Sequence, residues 1–452
     1  MKPATETLPP GRLERFALLI GHVVPDAITA SVILLLLLAG AALALGNPAG
    51  QVMDAYYRGL WMLLPFTMQM TLIIVLSSAL SSAPAVRAGV LWLSGLPKTR
   101  GQVIALGVLV VAAAAYCYWG LAYVMVPVVA VFFSRAAERN SLDIDFPFLL
   151  AVLWAASSVW QYGLSASAPL LIATPGHFLE GLIGVIPLAR TIWSPAALVH
   201  EAVFLAVTIA AGCALMPKRG APLSQFPESQ RLLEAAPESQ SQGLSYSERI
   251  ERNSLLSLLL SAVLAGWLYF HFWTNARSLD INALNTTLLL LNLLLHRNFN
   301  RFTGAVERAV VSGWAVIVLY HLYAGVAGVI QYTSVGERMA GFTAAITSPL
   351  TYPLLTAAVG TVFSIFIPSS GGQWAVQGLV TSKAALAVGV TVERGLLAMS
   401  VGDQMGNLTT PFWYVLIAGI ARIDFRRFFG YGLLFAALWF VIGVAAFTWL
   451  PC

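Results

Sequence analysis

The strongest constraint on this chain is how often charge disappears from it. Stretches without Asp, Glu, Lys or Arg cover 27–46, 59–86, 101–134, 146–176, 253–276, 309–336, 339–382 and 428–452. A helix crosses a bilayer core with roughly 20 apolar residues, and each run reaches that length. The residues are 58% hydrophobic and 10% charged, where soluble domains carry about 25% charged residues. The period-two alternation of a membrane β-barrel is absent. The chain therefore reads as an all-α polytopic membrane protein, with roughly nine to eleven spans besides two hairpins. Lys2, Arg12 and Arg15 precede the first run and predict a cytoplasmic N-terminus, with which Arg87, Lys98 and Arg100 agree. The first apolar segment reads as an uncleaved span rather than a signal peptide.

Run 339–382 is 44 residues long. As one straight helix it would extend about 66 Å at 1.5 Å per residue, twice the bilayer core. At its centre stands "FIPSSGGQWAVQG", residues 366–378. Pro368, Gly371 and Gly372 break a helix, so a re-entrant hairpin over 348–390 with its tip at 369–373 is expected. Irregular backbone at membrane depth survives only where protein buries it or it lines a polar cavity. The N–H groups of such a turn, with the positive end of the next helix, form an anion-binding concavity that needs no basic side chain. Ser369, Ser370, Gln373 and Gln377 add donors. The competing reading is helix packing through small residues, which the serines and glutamines disfavour.

The first half echoes this pattern. "FPFLLAVLWAASSVWQYG" from Phe146 and "YPLLTAAVGTVFSIFIPSSGGQW" from Tyr352 both reach Ser-Ser-x-x-Gln. A second hairpin, 146–176, is expected, with Ser157, Ser158 and Gln161 opposing the first tip. Interrupted helices at matching places in two halves mark secondary-transporter sites. The expected architecture is two inverted repeats, each with a re-entrant hairpin and a broken helix. It comprises a cytoplasmic segment 1–23, a first repeat 24–216, a polar linker 217–252 and a second repeat 253–452. In the first repeat, 184–195 supplies the broken element through Pro187 and Pro195; Arg190 within it reads as an interface or loop residue. "YCYWGLAY", residues 116–123, reads as a further break.

"VGDQMGNLTTPFW", residues 401–413, supplies the second site. Asp403 is the one charge between Arg394 and Arg422, and an intramembrane carboxylate is a functional candidate by default. Gly402 and Gly406 suggest an unwound centre. Asp403, Gln404, Asn407 and Thr410 would then bind Na⁺, or Asp403 would take a proton. His200 and Glu201 read as a membrane-edge pair. Cys117, Cys213 and Cys452 show no metal spacing or disulfide framework, and the first two are expected to pack within helices. There is no P-loop, HExxH or G-x-S-x-G, so an enzyme is not expected. No basic, aromatic-interleaved face marks a nucleic-acid partner.

The motifs "VVPDAI", "MQMTLIIVLSSALSSAP", "PLLIATPGH", "PSSGGQWAVQG" and "GDQMGNLTTPFW" resemble those of the short-chain fatty acid transporter family, the acetoacetate and butyrate permeases, within a wider ion-transporter grouping. The resemblance implies carriage of a small monocarboxylate across the bacterial inner membrane by H⁺ or Na⁺ symport, without further cofactor. Ser369, Ser370, Gly371, Gly372 and Gln373 would hold the carboxylate, with Gln377 near and Trp160 or Trp374 walling the alkyl tail. The sequence departs from the family pattern in carrying Gln373 for His, Ser370 for Gly and Asp403 for Glu. Gln cannot titrate, so coupling falls to Asp403. The expected partners are the substrate and the lipid bilayer; a homodimer is admitted. The alternatives are a passive anion channel or a carrier of a different small organic anion.

Overall fold

The computed structural model describes residues 27–217, 220–233, 245–311 and 313–452. The expected cytoplasmic segment 1–23 and the linker residues 218–219 and 234–244 lie outside the described residues. The described chain is helical, and no strand forms among these residues. The longer helices are α1 (Ala27–Ala44), α2 (Ala49–Met62), α3 (Leu64–Ser81), α4 (Pro84–Ser94), α5 (Arg100–Cys117), α6 (Trp119–Arg139), α7 (Phe146–Ala156), α8 (Ser167–Ala173) and α9 (Pro195–Leu215). After the linker come α10 (Ser254–Tyr269), α11 (Ile281–His296), α12 (Phe299–Val310), α13 (Trp314–Tyr332), α14 (Val335–Ala345) and α15 (Tyr352–Phe366). The last four are α16 (Ser370–Ala387), α17 (Val392–Thr409), α18 (Pro411–Ala421) and α19 (Arg426–Trp449).

Local sequence sets these boundaries. Asp145 accepts from Phe148 N at 2.7 Å, and Asp280 accepts from Ala283 N at 2.8 Å. Each satisfies an N–H that has no partner inside its helix. Pro84, Pro147, Pro195, Pro353 and Pro411 occupy first turns, where the missing N–H costs nothing. Among the described residues, seven helical stretches are long and apolar enough to cross a membrane, or eight with the pair Val316–Tyr332 and Val335–Ala345, bent by 75°. This corrects the larger expected count. Several apolar runs end in helices too short to cross alone, such as Tyr352–Phe366 and Pro411–Ala421.

The second-half interruption falls where Pro368 predicts it. Helix α15 stops at Phe366 and α16 starts at Ser370, because a residue before proline is driven out of the helical region. Tyr352 Oη donates to Thr381 O at 2.6 Å, and Gln373 Nε2 donates to Gly360 O at 2.9 Å. Both pairs are centred on the break, so the arms run antiparallel. In the first half, helix α7 passes into a 3-10 segment, Ser157–Tyr162, and then α8, so an interruption falls inside 146–176. The expected break in 116–123 occurs at Tyr118, between α5 and α6. It docks on the first-half interruption: Leu164 N donates to Tyr116 O at 2.7 Å, and Trp119 N donates to Ser165 Oγ at 2.8 Å. Each break thus satisfies backbone that the other frees.

The two halves interlock. A Cβ on Gly59 of α2 would lie 2.4 Å from Ala324 O of α13. Helix α17 lies equally close to α15, where a Cβ on Gly402 would stand 2.1 Å from Ala357 O. The obstacle is backbone, which cannot step aside, and overpacking costs about 1–3 kcal/mol or more. Gly402→Ala is therefore expected to lower the melting temperature of the detergent-solubilised protein clearly. Gly341→Ala, whose Cβ would meet nothing within 4 Å, should leave it near wild type. Equal melting temperatures for the two variants would contradict this packing.

Candidate functional site

The N-terminus of α16 borders a cavity of about 580 Å³. Ser167, Tyr320, Ser369 and Ser370 line it. Gly371 N donates to Ser167 Oγ at 2.8 Å, and the hydroxyls of Tyr320 and Ser369 share a hydrogen bond of 2.7 Å. Ser370 is fully buried, and its Oγ has no partner among the described residues. Gly371 and Gly372 make this crowding feasible, because a Cβ would meet Phe66 at 2.8 Å and Tyr323 at 2.7 Å respectively. Among the described residues, no Lys or Arg lines the cavity. Its attraction for an anion comes from hydroxyls and the positive end of an 18-residue helix, whose macrodipole favours negative charge there.

The rest of the cavity is apolar and aromatic. Trp119 stands 6.2 Å from Trp160 and 6.5 Å from Trp413 between ring centroids, and Tyr123 stands 6.2 Å from Trp413. All four line the cavity. A polar end facing an aromatic wall matches a ligand with a charged head and a greasy tail.

Asp403 lies beside this cavity but does not line it. It is fully buried and accepts from Gln161 Nε2, from Ser364 Oγ at 3.2 Å and from Asn407 Nδ2 at 3.2 Å. Gln404 Nε2 donates to Ser158 Oγ at 2.9 Å. Trp413 Nε1 donates to Asn407 Oδ1 at 3.0 Å, which ties the aromatic wall to the carboxylate network. Gln161 Oε1 is buried without a partner among the described residues.

The sequence-derived residues divide into three groups. Ser369, Ser370, Gly371 and Gly372 form the cavity's polar end. Ser158, Gln161, Asp403, Gln404 and Asn407 assemble into the carboxylate network, so the first-half motif meets Asp403 rather than the second-half tip. The others stand aside. Ser157 Oγ donates back to Trp154 O in the last turn of α7, at 2.6 Å. Gln373 joins the hairpin arms and donates to Gln377 Oε1 at 3.0 Å; Gln377 lines a separate cavity of about 210 Å³. Trp374 is fully buried with its indole against Gly378, outside the large cavity, whereas Trp160 does line it. Thr410 occupies the break before α18, with Oγ1 buried and unpaired among the described residues.

Two expectations need correction, the unwound centre of 401–413 and the packing of the cysteines. The centre of 401–413 is not unwound: Gly402, Asp403 and Gly406 sit inside continuous α17, and the glycines serve close helix packing. In the 184–195 element, Arg190 pairs with buried Glu393, and Ser194 caps α9. His200 and Glu201 lie near the start of α9 with buried side chains. His200 Nε2 bonds Trp439 O at 3.1 Å, and Glu201 Oε1 is unpaired among the described residues. Cys117 and Cys213 lie in helices but are exposed and free. Sequence reasoning did not find Ser167, Tyr320 and Ser364. Their one available signal was a hydroxyl in an otherwise apolar helix.

The multi-span helical bundle is that of a polytopic membrane protein, and its cavity is polar at one end. The chain belongs to the short chain fatty acid transporter family, whose profile matches residues 11–447. An Escherichia coli protein named as a candidate short-chain fatty acid transporter is 30% identical over 446 residues, covering 97% of this chain and 100% of that one. A Haemophilus influenzae protein of the same name is 28% identical over 411 residues, covering 87% and 89%. Two solved structures share the fold at 16% identity. The Alcanivorax borkumensis YdaH transporter has a TM-score of 0.58 and covers 94% of this chain and 97% of its own. Neisseria gonorrhoeae MtrF, described with a class of antimetabolite efflux pumps, has a TM-score of 0.60 and covers 97% and 98%. At that identity they show the fold alone.

Removing the Tyr320 hydroxyl should loosen the polar end without emptying the cavity. Tyr320→Phe is expected to weaken butyrate binding about fivefold, the worth of one hydrogen bond near 1 kcal/mol, with little change in melting temperature. Titration of the purified protein in nanodiscs reads this directly. Unchanged affinity would remove Tyr320 from the site.

Proposed function

We propose that this chain is a secondary active transporter, not an enzyme, that carries short-chain fatty acids or similar small monocarboxylates across the inner membrane with H⁺ or Na⁺ in symport. The observation that carries this reading is the single polar end of the cavity. There a buried Ser370 hydroxyl, unpaired among the described residues, meets the N-terminus of α16, and no described basic side chain joins the lining. A carboxylate would accept from Ser370 and Ser369 and face the helix dipole, while its alkyl tail lies along Trp119, Trp160 and Trp413. Gln373 supports this tip by bonding across the hairpin arms to Gly360 O, and Gln377 accepts from it on the same helix.

Asp403 is the coupling group in this reading. An isolated ionised carboxylate is costly at membrane depth, so bound H⁺ or Na⁺ neutralises it, and Gln161 Oε1 is free to add an oxygen. The Trp413–Asn407 bond lets the state of Asp403 bias the tail wall, giving a cation and an anion one shared element. Alternating access would move the re-entrant hairpin α15–α16 across the site.

Proteoliposomes under an inward H⁺ or Na⁺ gradient should accumulate labelled butyrate against its own gradient under at least one of the two. Equilibration without accumulation would identify a passive pathway; no entry of acetate, butyrate or acetoacetate would refute the reading. Asp403→Asn should abolish gradient-driven accumulation and retain butyrate counterflow. Ser370→Ala should raise KM about tenfold, as expected for one hydrogen bond to a charged group, with the larger effect on KM than on kcat.

A further inference from the structure

One buried carboxyl group takes no part in the coupling proposed at Asp403. Glu201 stands about 9 Å along the apolar helix α9 from Pro195, at 1.5 Å per residue. It is 7% exposed, and Oε1 is buried without a hydrogen-bond partner among the described residues. Helices α5, α7 and α19 pack against α9, and none brings it a counter-charge. Neighbours in sequence do not face each other on a helix, and His200 turns to α19, with Nε2 on Trp439 O at 3.1 Å. Tyr116 of α5 and Tyr162 of the 3-10 segment are titratable side chains that interact with Glu201. Tyr116 Oη accepts from Trp193 Nε1 at 3.0 Å, and Tyr162 Oη donates to Leu397 O at 3.3 Å. Helix α7 carries no titratable side chain, Tyr431 of α19 lies against Phe148, and the thiols of Cys117 and Cys452 are free. The cations stand towards the two ends of α9. Near its start, Arg190 pairs with Glu393, and Arg394 donates to Leu450 O at 2.8 Å. Past its last turn, Arg100 donates to Pro217 O at 2.7 Å. Arg426 and Arg427 open α19, about three turns before Trp439. None of these forms an ion pair with Glu201 among the described residues. An ionised carboxylate so placed is costly, and the group takes a proton instead.

We propose that Glu201 is a second proton-binding site of the transport cycle, occupied while the 3-10 segment Ser157–Tyr162 stays packed beside α9. This rests on the symport reading given above. The segment joins the two carboxyl groups. Gln161 donates to Asp403, and the next residue, Tyr162, interacts with both Asp403 and Glu201. The ring of Tyr162 stands 5.5 Å from that of His200 between centroids. A movement of the segment that releases Asp403 therefore also uncovers Glu201. The proton is taken from water on one side of the membrane and returned to water on the other; only the carboxyl O–H bond forms and breaks. The consequence is a count of charge. Butyrate brings one negative charge and the cation at Asp403 one positive, so the proton on Glu201 leaves one net positive charge moving per cycle.

Two measurements on the full-length protein test this. The first is an infrared spectrum at neutral pH in nanodiscs of ether-linked lipid, which lack ester carbonyls. In an Asp403→Asn background it should show the C=O stretch of an un-ionised carboxyl group that Glu201→Gln removes; an ordinary glutamate, ionising near about 4.3, would give none. The second is butyrate accumulation in proteoliposomes at fixed ion gradients. An inside-negative potential of about 100 mV should raise accumulation by the wild type up to about fiftyfold, as expected for one unit charge. Glu201→Gln should carry butyrate with an accumulation that the potential no longer changes, and Glu201→Asp should restore the response. Absence of the infrared band would overturn the proposal, and so would a Glu201→Gln protein as sensitive to potential as the wild type. Wild-type accumulation that ignores the potential would overturn it without any variant, leaving butyrate symport through Asp403 intact. No carriage of butyrate by the wild type would reject the functional reading itself, and the second site with it.

Discussion

Backbone hydrogen bonding inside the membrane governs this structure. A helix satisfies its own peptide groups; a broken helix does not, and lipid offers no partner. Every interruption must therefore dock on another element. The break at Tyr118 and the irregular stretch 163–166 satisfy one another through Tyr116 O and Ser165 Oγ. The break at Ile367–Ser369 is held by Tyr320 and Ser167. Ser370 at this break keeps a buried hydroxyl that is unpaired among the described residues. That deficit is what gives the cavity chemical direction.

Close helix approach is the second requirement, and glycine provides it. Gly402 and Gly406 bring α17 against α15, while Gly371 and Gly372 bring α16 against Phe66 and Tyr323. The rotation of α16 fixed by those contacts decides which polar groups face the cavity. Ser369 and Ser370 do; Gln373 turns to the other arm and Trp374 into the core. The same packing keeps Asp403 away from the cavity wall and joined to it through Asn407 and Trp413. In the proposed reading, the anion and the cation would occupy neighbouring volumes instead of one mixed pocket.

Much of this was legible in the sequence because membrane burial leaves few options. Missing charges gave the helical class, the 44-residue run gave an interruption, and Pro368 gave its position. Asp403 stood out as a charge where none is tolerated cheaply. The first-half Ser-Ser-x-x-Gln echo did identify partners, Ser158 and Gln161, though they met Asp403. Other features were opaque for physical reasons. Glycine serves both a broken helix and a tight crossing, so Gly402 was ambiguous until Ala357 stood opposite it. Ser167 and Tyr320 are single hydroxyls in apolar helices, and their significance depends on segments far away in sequence. The burial of His200 depends on α19, which contributes Trp439 from the far end of the chain.

The central claim is that a carboxylate sits against Ser370 at the start of α16. Substituted-cysteine protection tests it most directly. In full-length protein with Cys117, Cys213 and Cys452 replaced by serine, a Ser370→Cys substitution is labelled with a small thiosulfonate with and without butyrate. The account predicts that saturating butyrate slows labelling severalfold, whereas butanol at the same concentration does not. Equal labelling rates with and without butyrate, in protein that still transports it, would contradict the claim.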